Sequence, residues 1–214
     1  MTEPAESGRQ RRPGRPALLT SERVARAAFE LVDTEGAAAL TIARLARELG
    51  VGPMTIYGYA ESKDAILAML PDLLLENLPA LDMRRSWDAA LEKVFVAIYR
   101  RFLDHRHVTQ AIAELPVFGH AQAEIIEQVL RCLDQAGFSA GQAFVLQRTL
   151  ATYTLGFALF AIVETAAGAE RPRSAWTHQL DKSEFPYLTR VSGRMGGEVT
   201  EHQYLAGLRR ILGR

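Results

Sequence analysis

The sequence predicts an all-α protein, because helical periodicity recurs along most of the chain and strand patterns are missing. Apolar residues return every three or four positions between residues that favour helix starts and glycines that favour helix ends. No stretch alternates apolar and polar residues as a half-buried strand would, and no hairpin pattern is present. Since 214 residues are more than one small domain needs, we expect a small N-terminal module attached to a larger helical unit.

The composition fits a globular protein whose basic charge is concentrated in one short segment. Hydrophobic residues make up 48% and charged residues 23% of the chain, and 25 acidic residues balance 25 basic ones. Four arginines crowd into "RQRRPGR" at residues 9–15, ahead of the first helix. We therefore expect residues 1–18 to form a basic arm that is disordered when free.

The remaining composition favours a protein of the cytoplasm. Cys132 is the only cysteine, so no internal disulfide can form, and no apolar export segment precedes the first helix. The most apolar stretch, residues 150–169, is interrupted by threonines, glycines and Glu164. We expect a buried helix there and no contact with a membrane.

Residues 19–66 are expected to form a three-helix domain. The first helix, within "TSERVARAAFELVDTEG", begins at a cap formed by Thr20 or Ser21 and ends at Gly36. The second, "TIARLARELG", is capped by Thr41 and ends at Gly50. Both helices carry an apolar stripe that requires a common core.

The third helix, "PMTIYGYA", starts at Pro53, a residue suited to the first helical position. Two short helices joined by a glycine-containing turn are the pattern of a helix-turn-helix, whose second helix enters a DNA major groove. Ile56 would pack against the core. The side chains left for DNA are those of Met54, Thr55, Tyr57 and Tyr59.

Residues 67–214 are expected to form the larger domain. Ser62 caps the helix that leads into it, and Pro71 should bend or split that helix. A capping box of Ser139 and Gln142 starts a long helix. Further helices are expected at about 87–104, 108–114, 120–136, 140–167 and 198–212. Residues 170–195 are predicted to be irregular, except for one short helix at 174–181.

Residues 18–70 resemble the DNA-binding domain of the TetR family of transcriptional regulators. The family pattern "T…LA..LGVS..TLY.HF.SK..LL" corresponds here to "TIARLARELGVGPMTIYGYAESKDAIL". The resemblance extends more weakly to "SWDAALEKVFVAIYRRFLDHR" and "LDQAGFSAGQAFVLQRTLATYTLGF", which are similar to the regulatory domain of the tetracycline repressor type. It implies a ligand-responsive repressor that binds a palindromic operator as a homodimer.

The resemblance also implies which residues contact double-stranded DNA. Thr41, Tyr57 and Lys63 would contact the phosphate backbone. Pro53, Met54, Thr55 and Tyr59 would face the bases. The basic arm, through Arg12 and Arg15, would enter the adjacent minor groove, although a merely solubilising tail is an equal alternative. For the tyrosines the alternative is packing against the neighbouring helix.

In the larger domain the resemblance implies a ligand pocket and a dimer interface. The positions that hold drug and magnesium in the tetracycline repressor type correspond here to Pro79, Val94, Ile98, Ile112, Val129, Thr152 and Phe160. This set offers almost no oxygen ligands, so we expect no metal, no cofactor and a small apolar or aromatic effector. Ordinary core packing is the alternative for each residue. The dimer interface is expected on the 139–167 helix and on the last helix, which contains Tyr204, Leu205, Leu208, Ile211 and Leu212.

Other interpretations remain open or are disfavoured. An effector-independent DNA-binding regulator, whose pocket is closed core, is the main alternative, and an enzyme on a helical scaffold is remote. "GFSAG" matches the serine-hydrolase pattern G-x-S-x-G, but a helix rather than a strand precedes it. His105 and His107 in "DHRH" lack a third metal ligand and are interpreted as a solvated helix end.

Overall fold

A computed structural model describes residues 19–113, 119–167, 180–195 and 199–214, and all regular secondary structure in these ranges is helical. The all-α prediction is confirmed. The helices are α1 (Ser21–Glu35), α2 (Ile42–Leu49), α3 (Pro53–Ile56), α4 (Lys63–Leu67), α5 (Leu70–Leu74), α6 (Trp87–Asp104), α7 (Arg106–Ala113), α8 (His120–Gln135), α9 (Ala140–Ala167), α10 (Pro186–Met195) and α11 (Glu201–Ile211), with a 3₁₀ turn at Ala37–Ala39.

The predicted caps start the N-terminal helices. The side-chain oxygens of Thr20, Thr41 and Ser62 each accept a hydrogen bond from the backbone N–H three residues later, at 3.1 to 3.2 Å. Gly36 and Gly50 end α1 and α2 with φ of +84° and +67°, a backbone region in which glycine carries no steric cost. Local sequence therefore sets the ends of these helices.

Pro71 splits the helix that leaves the N-terminal domain, as predicted. Helix α4 ends at Leu67, and α5 begins at Leu70 with Pro71 in its first turn, where a missing N–H is tolerated. The split lets two short helices change direction between the two parts of the molecule.

One expectation about the C-terminal region needs revision, and another is not tested. Helix α10 was not predicted, because the proline, serine and glycine of "PYLTRVSGRM" hide its helical spacing. The short helix predicted at 174–181 falls almost entirely on residues outside the described ranges.

The core of the larger domain lies between α6, α8 and α9, and α11 closes it from one side. Tyr204, Leu208 and Leu212 are buried against α6 and α9 within the same chain. These three side chains therefore belong to the core of one chain, and the placement of the dimer interface on this helix stays a prediction. Leu205 and Ile211 remain half-buried.

Helix α9 is long and apolar enough, over Ala140–Thr165, to cross a membrane by length and composition. The sequence-based expectation that it falls short of a span is thus not met on that criterion. Core helices of soluble proteins pass the same test, and α9 packs against α6, α8 and α11. About a third of the segment is buried in the chain, which leaves a long apolar face outside the core.

The N-terminal domain is tied to the larger one through α1. The ring of His105 lies 2.9 Å from a carboxylate oxygen of Asp33 and packs edge-on against Phe29, with ring centroids 5.0 Å apart. His107 Nδ1 lies 2.8 Å from the backbone oxygen of Asp33. Both histidines are half-buried, so the prediction of a solvated helix end is wrong.

The serine of "GFSAG" has a structural role. Gly137 ends α8 with φ of +88°, and Ser139 and Gln142 form the predicted capping box of α9. Cys132 is buried, and burial raises the pKa of its thiol, which disfavours the reactive thiolate.

Candidate DNA-binding surface and effector cavity

The turn between α2 and α3 is built from local backbone geometry. Gly50 adopts a left-handed conformation, and the N–H of Val51 donates to the carbonyl of Ala46 at 2.9 Å, which closes the end of α2. Gly52 is extended and places Pro53 in the first turn of α3. This is the predicted helix-turn-helix.

Helix α3 is held by packing, because four residues are too few for a stable isolated helix. Ile56 is fully buried, and Ala60, which follows the helix, is also buried. Backbone hydrogen bonds from Tyr59 and Ala60 to the carbonyl of Ile56 extend the helical turn beyond α3. The recognition element is thus a short helix whose inner side is fixed in the core.

The outer side of α3 is open to solvent. Met54 is 79% exposed and Tyr57 is 48% exposed, and Pro53 and Thr55 are exposed between them. Met54 and Tyr57 lie three residues apart on this short helix and form an exposed apolar patch, and such patches can mark interaction sites. These four predicted DNA contacts therefore share one accessible surface, which we call the recognition face.

Thr41 and Lys63 have structural contacts beside the recognition face. Thr41 is exposed and caps α2. The ammonium of Lys63 donates to the backbone oxygen of Ala37 and is half-buried. An ammonium has three donors, so this bond leaves two for a phosphate.

Tyr59 is placed differently from the prediction. Its ring is half-buried against the core, and its hydroxyl donates to the backbone oxygen of Leu19 at 2.9 Å. The tyrosine anchors the start of α1 to the end of the helix-turn-helix and does not project with Met54. The packing alternative therefore describes it better than a base contact. Arg12 and Arg15 lie outside the described residues.

A cavity of about 270 Å³ opens between α6, α8 and α9. Its size is just below the usual range of roughly 300 to 1,000 Å³ for small-molecule sites. Helix α6 supplies the apolar side chains Phe95, Ile98 and Phe102. The remaining lining residues are Leu75, Gln122, Ile125, Ile126, Gln147, Arg148, Ala151, Thr152, Thr154 and Leu155.

Two of the seven predicted pocket residues, Ile98 and Thr152, line this cavity. Val94 and Val129 are buried in the core, and Ile112 on α7 is half-buried against it. Pro79 lines a separate surface groove between α6 and α11. Phe160 is 46% exposed on the outside of α9. These five positions therefore lie in the core, in a groove or on the surface rather than at the cavity. Helix α9 presents its 147–155 segment to the cavity, so Phe160 lies outside it.

Sequence reasoning missed the polar side chains of the cavity. Gln147 is buried, Gln122 is half-buried, and Arg148 is exposed at the cavity. The available indication was a glutamine and an arginine within the otherwise apolar run "AFVLQRTLATY". No cluster of metal-ligating side chains occurs in the described ranges.

One wall of the cavity continues into a buried tyrosine stack. The Tyr204 hydroxyl donates to the backbone oxygen of Phe95 at 3.0 Å and lies 2.9 Å from the hydroxyl of Thr154. The Tyr204 ring stacks on Tyr99 at 4.0 Å and on Tyr153 at 5.4 Å between centroids. Helices α6, α9 and α11 are thereby joined behind the cavity.

The cavity is also linked to the helices that carry the N-terminal domain. Leu75, directly after α5, is one of its lining residues. Asp72 on α5 accepts a hydrogen bond from the N–H of Ala121 at 2.8 Å, so α5 caps the start of α8. A side chain at Gly119 would lie 2.1 Å from that carboxylate, which explains the glycine. Helices α5 and α8 are therefore in direct contact beside the cavity.

Comparisons with known proteins cover both parts of the chain. Residues 24–70 match the family described as bacterial regulatory proteins, tetR family, and residues 78–213 match the tetracyclin repressor-like C-terminal domain. The HTH-type transcriptional repressor DrrR1 of Streptomyces coeruleorubidus is 29% identical over 197 residues, 88% of this chain and 71% of that protein. The class A tetracycline repressor from transposon 1721 of Escherichia coli is 30% identical over 153 residues, 70% of this chain and 68% of the repressor.

Solved structures share the fold. ActR of Streptomyces coelicolor in complex with actinorhodin superposes with a TM-score of 0.81 at 23% identity, covering 92% of this chain and 95% of ActR. The regulator SCO7222 from the same organism gives 0.75 at 25% identity, covering 92% and 97%. The family model of the tetracyclin repressor-like C-terminal domain, matched at residues 78–213, spans more than half of the chain. The chain belongs to the TetR family of bacterial transcriptional regulators, DNA-binding repressors with a ligand-binding C-terminal domain.

Proposed function

We propose that this protein represses transcription from a palindromic operator as a homodimer and is released by a small apolar or aromatic effector. The observation that carries the proposal is the recognition face. Its four exposed residues, Pro53, Met54, Thr55 and Tyr57, are held in place by the buried Ile56. A protein with this task acts where the chromosome is, in the cytoplasm.

The recognition face is suited to direct contact with the major groove. Gly52 and Gly58 flank it, both have negative φ, and an added Cβ would meet nothing closer than 3.4 Å at either position. The fold therefore does not require glycine there. Their small size leaves room for DNA to approach the Tyr57 hydroxyl and the Met54 side chain closely.

The dimer is proposed to form on the outer face of α9. Phe144, Val145, Phe160 and Val163 are all exposed large apolar residues on this helix. Such a patch would be costly in water and is typical of an interface between subunits. A two-fold axis through α9 would present two recognition faces to half-sites about one helical turn apart, roughly 34 to 36 Å, or a multiple of that distance.

Release is proposed to follow from the shared wall of the cavity. An effector in the cavity contacts α8 and the end of α5, and Asp72 holds these two helices together. Helix α4 precedes α5 and carries Lys63 beside the recognition face. An effector that binds one arrangement of α8 more tightly would thus favour one spacing of the two recognition faces. The loss of operator affinity can be no larger than the difference between the effector's affinities for the two arrangements.

The test is selection of bound sequences from a random DNA pool by the full-length protein, followed by anisotropy on the recovered site. Tyr57→Ala should weaken binding about tenfold or more, because each half-site loses a contact with a charged phosphate or a base. Tyr187→Ala is the matched control, since Tyr187 is 78% exposed on α10, outside the helix-turn-helix. Equal affinities of the two variants would contradict the assignment of the recognition face.

A further inference from the structure

The polar and apolar side chains of the cavity come from different helices. Helix α6 contributes only Phe95, Ile98 and Phe102, whereas α8 and α9 contribute the glutamines and Arg148. A ligand in the cavity therefore meets an aromatic wall on one side and a polar edge on the other. This asymmetry carries information about the chemistry of the ligand.

Gln147 is the most informative residue of the polar edge. Its side chain is 7% exposed, lines the cavity, and has no hydrogen bond to any other residue that the structure describes. The Gln147 amide is still accessible at the cavity, so water or a ligand there can supply its hydrogen bonds. The cavity is where that partner would lie.

Thr154 shows the contrast. It is also buried at the cavity, but its hydroxyl donates to the backbone oxygen of Leu150 at 2.7 Å and contacts Tyr204. Its hydrogen-bonding capacity is used within the protein. Gln147, about two turns earlier on the same helix, retains all of its capacity for a ligand.

Arg148 gives the polar edge its charge. It lines the cavity, and no carboxylate pairs with it among the described residues. None of the lining residues is acidic. The guanidinium is exposed, so an anion beside it would remain partly solvated, and its preference over a neutral group would be moderate.

We propose that the effector is an aromatic acid, a carboxylate or phenolate whose ring lies on Phe95 and Phe102. An oxygen of the acid accepts from the Gln147 amide, and its negative charge lies beside Arg148. This inference rests on the proposed function and specifies the ligand of the same cavity. A neutral hydrocarbon would leave Gln147 without a partner, and a cationic amine would meet Arg148 with like charge.

The test compares three probes of one size: 2-naphthoate, neutral 2-naphthalenemethanol and protonated 2-naphthylmethylamine. Binding to the full-length protein is measured by calorimetry. The wild type should prefer naphthoate over the alcohol about tenfold, as expected for one charge-assisted contact at an exposed site. It should bind the amine most weakly.

Variants separate the two polar contacts. Arg148→Gln should abolish the preference for naphthoate over the alcohol. Gln147→Leu should weaken the binding of naphthoate about tenfold. It should not lower thermal stability, because the amide has no hydrogen-bond partner among the described residues. Arg131→Gln and Gln128→Leu, exposed positions on α8 that do not line the cavity, should bind as the wild type does.

Three results would overturn the inference: the alcohol or amine binds the wild type as well as naphthoate, both cavity variants bind naphthoate normally, or no probe binds. Operator binding by the same preparations distinguishes this failure from failure of the proposed function. A protein that binds its operator but no probe loses the aromatic-acid assignment alone. A protein that binds neither counts against both.

Discussion

Two buried tyrosines offer a matched test of the stack behind the cavity. Tyr99 and Tyr204 are both fully buried, and their rings stack 4.0 Å apart. The Tyr204 hydroxyl has two partners, the backbone oxygen of Phe95 and the hydroxyl of Thr154. The Tyr99 hydroxyl is buried and has no hydrogen-bond partner among the residues that the structure describes. Changing each tyrosine to phenylalanine removes one oxygen atom and leaves the ring in place.

The expected effects on unfolding free energy differ in size and sign. The Tyr204 hydroxyl donates its one proton to Phe95, and Thr154 donates its own to Leu150, so Tyr204→Phe removes one buried hydrogen bond. A buried hydrogen bond contributes a net of about 0.5 to 1.5 kcal/mol, which is the expected cost. Tyr99→Phe removes a hydroxyl that was buried without compensation. It should leave stability unchanged or raise it by up to about 1 kcal/mol.

The assay is urea unfolding followed by far-UV circular dichroism at one fixed protein concentration, because dimer stability depends on concentration. Equal slopes with shifted midpoints would attribute the change to the folded state. If Tyr99→Phe lowered stability as much as Tyr204→Phe, the hydrogen-bond partners would not be what distinguishes the two hydroxyls, and the described stack would be wrong.

Two further variants probe how α11 is fixed. Gly207→Ala places a Cβ 2.1 Å from the Tyr153 hydroxyl, so we expect the unfolding free energy in urea to fall by about 1 to 2 kcal/mol. Gly141→Ala is the control, because an added Cβ there meets nothing within 4 Å, and it should be neutral or slightly stabilising. Equal effects of the two substitutions would contradict the close approach of α9 and α11. Hydrogen bonds from Arg209, with smaller opposition from burial, hold the pKa of Glu92 below its usual value of 4.5. This contribution is present above about pH 4.5 and is lost as the pH falls through the lower folded-state pKa, so the stability advantage of the wild type over Glu92→Gln should shrink on acidification. An advantage that does not change with pH would refute this ion pair.

The parts that sequence predicted well are those that local chemistry determines. Capping threonines and serines and glycines with positive φ each act within a few residues, so both ends of α1 and α2 and the start of α4 could be predicted. The same holds for the recognition face, whose Met54 and Tyr57 must be exposed once Ile56 is buried.

The cavity could not be predicted in the same way, because it depends on how α9 is rotated against α6 and α8. A helix that is apolar on nearly all sides gives no periodicity from which to choose its inner face. The family resemblance assigns Phe160 and Thr152 to one pocket, whereas the structure places Phe160 outside and Thr152 at the cavity. Tyr59 was misplaced for a related reason, since its partner, Leu19, is distant in sequence.

The central claim, that this chain binds an operator as a symmetric pair, is tested most directly by comparing the recovered operator with a duplex in which one half-site is scrambled. Anisotropy gives the affinities, and sedimentation gives the number of chains bound. The account predicts two chains on the intact site and a loss of about a hundredfold or more on the scrambled one, because several base contacts disappear together. One chain bound to each duplex with equal affinity would contradict it.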